Sequence, residues 1–262
     1  MATSLDNLTL HRYKRTNKAY VEDLGNGVSL TLMLIPAGEF LMGASEVEPE
    51  STDRERPQHR VELPQFLMGR YPITQAQWRG VAGYDRVEID LNPAPSRFQG
   101  EDLPVEQVTW HDAVEFCQRL AAKASKNYHL PSEAQWEYAC RAETTTAYHF
   151  GDQLTEDVAN YGQKAGQTTP VGQYPANRWG LCDMHGNVYE WCQDHWHSNY
   201  EDAPNDGSAW IEAGDSKYRV RRGGSWDFSP RFCRSAHRGF IEPGNVNDSY
   251  GFRVVCSAPR TL

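Results

Sequence analysis

The chain has 262 residues, 39% hydrophobic and 23% charged, with a formal net charge of −9 at pH 7. That is enough apolar side chain for a sizeable core, and the acidic balance excludes recognition driven by nucleic-acid phosphates, which needs a basic face; the one basic run, residues 219–222, is short. No apolar run reaches the roughly 18 residues of a membrane span and the first residues are polar without a hydrophobic signal region, so no membrane span is expected and the expected location is cytoplasmic.

Residues 1–27 read as a polar N-terminal extension ending in the turn signal Gly25, Asn26 and Gly27. Residues 28–35 predict a strand, and after Pro36 a second short apolar run follows at 39–43. Residues 44–58 are acidic and poor in apolar side chains, as a solvated loop would be. Residues 60–63 and 66–71 predict a strand pair broken at Pro64. Three helix starts are legible: Thr74 with Gln77, Thr109 with Asp112, and Ser132 with Gln135 each have the spacing of a reciprocal cap. In the second of these helices Trp110, Ala113, Val114, Cys117, Leu120 and Ala121 fall on one face. Residues 84–103, with Pro93, Pro95 and Gly100, predict a long irregular loop, and from residue 147 onward short apolar pieces alternate with Gly, Asn and Pro. The six cysteines, at 117, 140, 182, 192, 233 and 256, show no Cys-x-x-Cys spacing; this disfavours zinc and predicts buried thiols.

Residues 222–255 have the least ordinary composition. They open on Gly223 and Gly224, which permit a tight turn, and close on a buried-strand pattern, Gly251, Phe252, Arg253, Val254 and Val255. Between these ends Phe228, Phe232, Phe240, Ile241 and Tyr250 are interleaved with Asp227, Ser229, His237, Gly239, Asn245, Asn247, Asp248 and Ser249, with neither a strand nor a helix period. Apolar groups without a period cannot all be buried on one face, so some are expected in solvent, where aromatics beside small polar residues suit ligand binding. Trp226 and Phe252 are expected in the core.

Four blocks then carry a resemblance: Pro-Val-Glu-Gln-Val-Thr-Trp-His-Asp-Ala at 104–113, Leu-Pro-Ser-Glu-Ala-Gln-Trp-Glu-Tyr-Ala at 130–139, Asp-Met-His-Gly-Asn-Val-Tyr-Glu-Trp at 183–191 and Arg-Gly-Gly-Ser-Trp at 222–226, followed by Gly-Phe-Arg at 251–253. In this order they resemble the successive signatures of the formylglycine-generating-enzyme/sulfatase-modifying-factor family. The resemblance implies an α+β fold of the C-type-lectin-like kind, with small twisted β-sheets, two main helices and much irregular loop. It also implies one domain over residues 1–262, with 223–255 as a separate functional region.

Oxidases of that family need a cysteine pair that binds copper(I), a soft ion suited to thiolates, soon after the Gly-Gly-Ser turn. Here Cys233 stands at the second place and Phe228 at the first, so no copper is expected, no catalytic residue is assigned and the chain is expected not to be an enzyme. Enzymes of the family also hold calcium on the loop matched here by Asp183, Gly186, Val188 and Glu190, which implies a structural Ca²⁺ at those oxygens. The other possibility is that Glu190 bonds N–H groups of the protein itself.

Within the fold, the C-terminal segment is most like the variable region of proteins diversified by retroelements, where adenines of AAY asparagine codons are miscopied. Asp227, Phe228, Ser229, Phe232, His237, Gly239, Phe240, Ile241, Asp248, Ser249 and Tyr250 are all reachable from such codons, and Asn245 and Asn247 would be unaltered members. Glu242 lies outside the set, and Trp226, Pro230, Arg231, Cys233, Arg234, Ser235, Ala236, Arg238 and Pro243 read as fixed. The expected function is a non-enzymatic, retroelement-diversified protein presenting these thirteen positions to an unknown protein or other macromolecule, not to nucleic acid. The alternative is an oxidase of the formylglycine-generating type.

Overall fold

The turn at Gly25 to Gly27 joins two strands. β1 (Ala19–Gly25) and β2 (Val28–Ile35) pair antiparallel around Gly25, Asn26 and Gly27, all at positive φ. In the structure, a computed structural model that describes residues 14–258, part of the expected polar extension is thus an edge strand. Its polar sequence reflects one covered edge and mostly exposed side chains, with only Leu24 fully buried. Residues 1–13 of that extension lie outside the described residues.

The strands at 60–63 and 66–71 do not pair with each other as expected. β3 (Gly38–Met42) pairs with β4 (His59–Leu63), whereas β5 (Phe66–Gly69) lies between β2 and β11 (Val255–Ser257). All four residues of β5 are buried, as befits a central strand, and Pro64, which has no N–H to give a ladder, sits where the chain changes sheet. With β6 (Tyr128–His129) the first sheet has the order β1-β2-β5-β11-β6.

α1 (Gln75–Ala82), α2 (Trp110–Ala124) and α3 (Glu133–Arg141) each begin with the reciprocal cap read from the sequence. α1 and α2 cover one face of the five-stranded sheet, where the rings of Trp78, Phe116 and Phe252 meet at 5.2 to 6.1 Å. α3 brings Trp136, Ala139 and Cys140 into a second core with Met68, Val220 and Val255. This second core lies against another sheet, formed by β7 (Tyr189–Trp196), β8 (Asp215–Arg222), β9 (Gly239–Ile241) and β10 (Tyr250–Gly251) in the order β10-β7-β8-β9.

Long irregular segments survive in this architecture because buried side chains take over the bonding of a ladder. Glu115 accepts the N–H groups of Val87, Glu88 and Ile89, while Arg119 donates to the carbonyls of Ala82, Tyr84 and Ile89. The loop at 44–58, expected to be solvated, holds a 3₁₀ turn (Asp53–Glu55) whose Glu55 is completely buried. All six cysteines are buried and unpaired, and no described helix is long and apolar enough to cross a membrane.

Glu106 supports the same loop region. One carboxylate oxygen accepts the Phe98 N–H at 2.9 Å, the other is buried without a partner among the described residues, and burial pushes the group up from 4.5 to about 7. The folded protein therefore keeps this proton while the unfolded chain releases it, so the group's contribution is present below pH 4.5 and lost as pH rises to about 7. Glu106→Gln, whose amide can stand at the unpartnered position, is expected to raise stability at pH 8 by roughly 2 kcal/mol and to change it little at pH 4. Urea titrations at the two pH values check this; equal effects at both would contradict it.

Candidate ligand-binding face

Four buried arginines fix the C-terminal segment. Arg222 donates to Glu133 and Glu137 of α3 at 2.8 and 2.7 Å, and Arg238 grips Glu133 through Nε and Nη2 at 2.7 and 2.8 Å. Arg234 holds Glu55 through two nitrogens at 2.8 Å each and Glu48 at 2.6 Å. Arg253 closes on Glu190 at 2.6 and 2.7 Å. Such planar, forked contacts set orientation as well as distance. Burial alone would raise the Glu133 carboxyl, but Arg238 and Arg222 outweigh it and hold it below the usual carboxylate range. A turn completes the frame: a Cβ on Gly224, at φ +70, would lie 2.4 Å from Cys233 Sγ, so only glycine lets the 3₁₀ turn Pro230–Cys233 rest on the end of β8.

The four-stranded sheet sorts its side chains by strand alternation. Trp191 lies opposite Arg221, Arg221 opposite Gly239, Arg219 opposite Ile241, and Tyr250 beside Tyr189, so these residues share one face. Glu190, Val220, Arg222 and Phe240 occupy the other, toward α3 and the second core. The short basic run of the sequence is therefore two features: Arg222 is structural, while Arg219 and Arg221 are half-buried on the opposite face, whose Trp191 end is covered by the first core. Phe240 does not join the other display residues; its ring stacks on Trp196 at 4.2 Å and meets Tyr218 at 5.3 Å.

On the open face the rings form a chain. Tyr189 meets Phe228 edge-on at 5.1 Å, Phe228 meets Phe232 at 5.3 Å, and Phe232 meets His237 at 5.2 Å. The Arg221 guanidinium lies 4.1 Å from the Tyr189 ring centre and 4.4 Å from that of Tyr250. Phe228, Phe232, His237, Ile241 and Tyr250, some of which were expected in solvent, are all half-buried: each ring of the chain covers the next, an arrangement with no backbone period. Ser229 and Asn247 are exposed, and Asp227, Asn245 and Asp248 are half-buried around the rings.

Two of the thirteen positions are buried. Gly239 lies beneath Arg221, whose Cγ a Cβ there would meet at 3.1 Å, and Ser249 bonds Asn247 Oδ1 while its carbonyl accepts the Tyr189 N–H. Phe252 is in the core as expected, but Trp226 is half-buried, edge-on to Phe98 at 5.5 Å with its Nε1–H donating to the Asp248 carbonyl. Tyr189 and Arg221 were missed by sequence reasoning; the period-2 alternation within residues 219–222 was the signal that could have found Arg221.

Cys233 is fully buried, and that burial pushes its thiol up to about 12, so it has neither the exposure nor the thiolate character of a nucleophile. Its carbonyl is held by His185. The His149 N–H donates to His185 Nε2 at 3.1 Å, so Nδ1 carries the proton and donates to Cys233 at 2.7 Å.

The residues matched to the calcium loop do not fit a cation. Both Glu190 oxygens are taken by Arg253, and one also accepts Trp136 Nε1–H at 2.7 Å, so the positive charge beside this carboxylate is a guanidinium. Asp183 accepts the Gly172 N–H at 2.7 Å, and the Gly186 N–H, two residues before Val188, donates to Gly223. EDTA is expected to leave the thermal transition in place and 1 mM-scale Ca²⁺ to raise it by less than about 1 °C; a chelator-induced fall of several degrees would return a cation to this loop.

Residues 25–258 match the family model described as the sulfatase-modifying factor enzyme 1-like domain. The chain is 34% identical to the serine/threonine-protein kinase pkn1 of Chlamydia caviae over 85% of its own length, but spans only 37% of that protein. It is 33% identical to hercynine oxygenase of Mycolicibacterium smegmatis, covering 83% of this chain and 59% of the relative, and 26% identical to the bovine (Bos taurus) formylglycine-generating enzyme, covering 95% and 80%. Among solved structures, PvdO of Pseudomonas aeruginosa superposes with a TM-score of 0.81 at 32% identity, covering 91% of this chain and 98% of PvdO. Treponema denticola variable protein 1 gives 0.77 at 26% identity, covering 94% and 100%. The expectation that the chain is not an enzyme is overturned by these relatives, since the likeness to an oxygenase and to the formylglycine-generating enzyme runs through most of its length. The fold has the expected C-type-lectin-like character. Match, fold and segment order together establish that this chain belongs to the sulfatase-modifying factor enzyme 1-like, or formylglycine-generating-enzyme, family.

Proposed function

We propose that the open face of the four-stranded sheet, with the 3₁₀ turn Pro230–Cys233 beside it, binds a ligand through residues diversified by a retroelement. One observation carries the reading: eleven of the thirteen positions reachable from AAY codons reach the surface, whereas five of the nine residues read as fixed are buried. Cys233, Arg234, Ser235, Ala236 and Arg238, read as fixed, are buried in the frame, whereas Asp227, Phe228, Ser229, Phe232, His237, Asn247, Asp248 and Tyr250 reach the surface. A frame that tolerates no change beneath a face that tolerates much is what diversification requires. The likeness to a variable protein of Treponema denticola supports the same reading. The ligand is a protein or another macromolecule rather than nucleic acid, given the net charge of −9. Sequencing the locus tests diversification: a near-repeat of the codons for 223–255, with adenines at the surface positions, is expected beside a reverse-transcriptase gene, and its absence would overturn it.

A second reading is favoured by the identity with hercynine oxygenase: the face receives the substrate of an oxidative reaction. Oxygen uptake by the purified protein in the presence of a thiol peptide tests it. Uptake that disappears in a Phe228→Ser, Phe232→Ser variant that still folds would favour this reading.

A further inference from the structure

The open face has an excess of cations. Arg219, Arg221 and Arg231 lay their guanidinium groups on aromatic rings, at 4.5 Å on Trp110, at 4.1 and 4.4 Å on Tyr189 and Tyr250, and at 4.4 Å on Phe232. None of the three meets a carboxylate among the described residues, in a chain whose formal net charge is −9. Of the nearby acids, Asp248 pairs with Arg97 and Asp227 accepts from Ser225 Oγ at 2.7 Å, a neutral group that does not offset its charge, so three arginines face one uncompensated carboxylate.

Arg221 is the sharpest case. Its Nε and Nη1 are shut off from solvent and have no hydrogen-bond partner, and Arg219 Nε is in the same condition. The ring faces offset part of the charge, but they lie against the guanidinium plane and cannot accept its in-plane N–H groups. The surroundings are electropositive. Burial, and then Arg234, Arg222, Arg221 and Arg231, push His237 down to about 3, and burial without a compensating anion lowers Arg219.

We infer that the ligand of this face is an acidic stretch of polypeptide, and that Arg221, held between the rings of Tyr189 and Tyr250, anchors one of its carboxylates. The inference rests on the ligand-binding reading of the face. A carboxylate can meet Nη2, the one Arg221 nitrogen not shut off from solvent, and the half-buried rings of Phe228 and Phe232 offer contact to apolar side chains interspersed with the acids.

The test titrates the full chain with a labelled peptide of alternating Glu and Phe, its Gln counterpart, and a short single-stranded oligonucleotide. The acidic peptide is expected to bind at least about ten-fold more tightly than either, and Arg221→Gln to lose about ten-fold. Arg60→Gln, at an exposed arginine paired with Glu39 on the small β3–β4 sheet, is expected to bind as the parent does. If Arg221→Gln fails to fold, Arg221→Lys, which keeps the charge without the planar group stacked between the two rings, is expected to lose several-fold. Equal binding of the Gln peptide, tighter binding of the oligonucleotide, no acidic-peptide binding up to millimolar concentration, or unchanged binding by a folded Arg221 variant would each overturn the inference. If the last occurs while Phe228→Ser with Phe232→Ser abolishes peptide binding, the face reading stands and the carboxylate anchor alone falls.

Discussion

Arg234→Met is expected to cost about 3–5 kcal/mol, because it strips the cation from a carboxylate that cannot reach water. Glu55 is completely buried and takes two hydrogen bonds from Arg234, and Glu48 takes a third. Burial raises the Glu48 carboxyl despite that contact, so removing Arg234 would favour its protonation further. The loss should accordingly be smaller at pH 5 than at pH 8, where an unpaired carboxylate must stay charged or bind a proton against the solution. Arg234→Lys is expected to recover only part of it, since an ammonium cannot span both oxygens of Glu55 in one plane. Chemical denaturation at the two pH values measures this, and a loss under about 1 kcal/mol would show that the buried ion pairs do not form the frame.

The second large effect lies in the same segment. Phe252→Ala should cost about 3–5 kcal/mol, since its ring is fully buried against Trp78 and Phe116. Phe228→Ser and Phe232→Ser, which remove half-buried rings, should cost roughly 1 kcal/mol each, mostly the edge-to-face contacts with one another and with Tyr189. Because all three positions lie within residues 222–255, general weakness of the C-terminal segment cannot produce a split. Comparable losses at all three, in thermal or urea unfolding, would make the display rings part of the core.

Features fixed by local chemistry were legible in the sequence. The caps at Thr74, Thr109 and Ser132 depend on side chains three residues apart, and all three helices begin there. β1 was not legible, because an edge strand with mostly exposed side chains has no apolar alternation to read. The neighbours of β4 and β5 were misjudged for another reason: proximity in sequence suggested pairing, whereas the choice of partner is made by β3 and β11, at distant positions. At the candidate site the surface positions could be listed from codons, but their faces could not. Only the register of β8 with β9 shows that Phe240 and Arg221 lie on opposite faces of the sheet. The engagement of Glu190 with Arg253 joins residues 63 apart in sequence and left no local mark that could separate an ion pair from a calcium ligand.

The most direct test of the account is amplicon sequencing of codons 223–255 from a growing population of the source cells. Substitutions are expected at Asp227, Phe228, Ser229, Phe232, His237, Asn247, Asp248 and Tyr250, with none at Cys233, Arg234, Ser235, Ala236 or Arg238, whose side chains are buried. A uniform sequence across the population, or variation falling as often on the buried arginines as on the face, would contradict it.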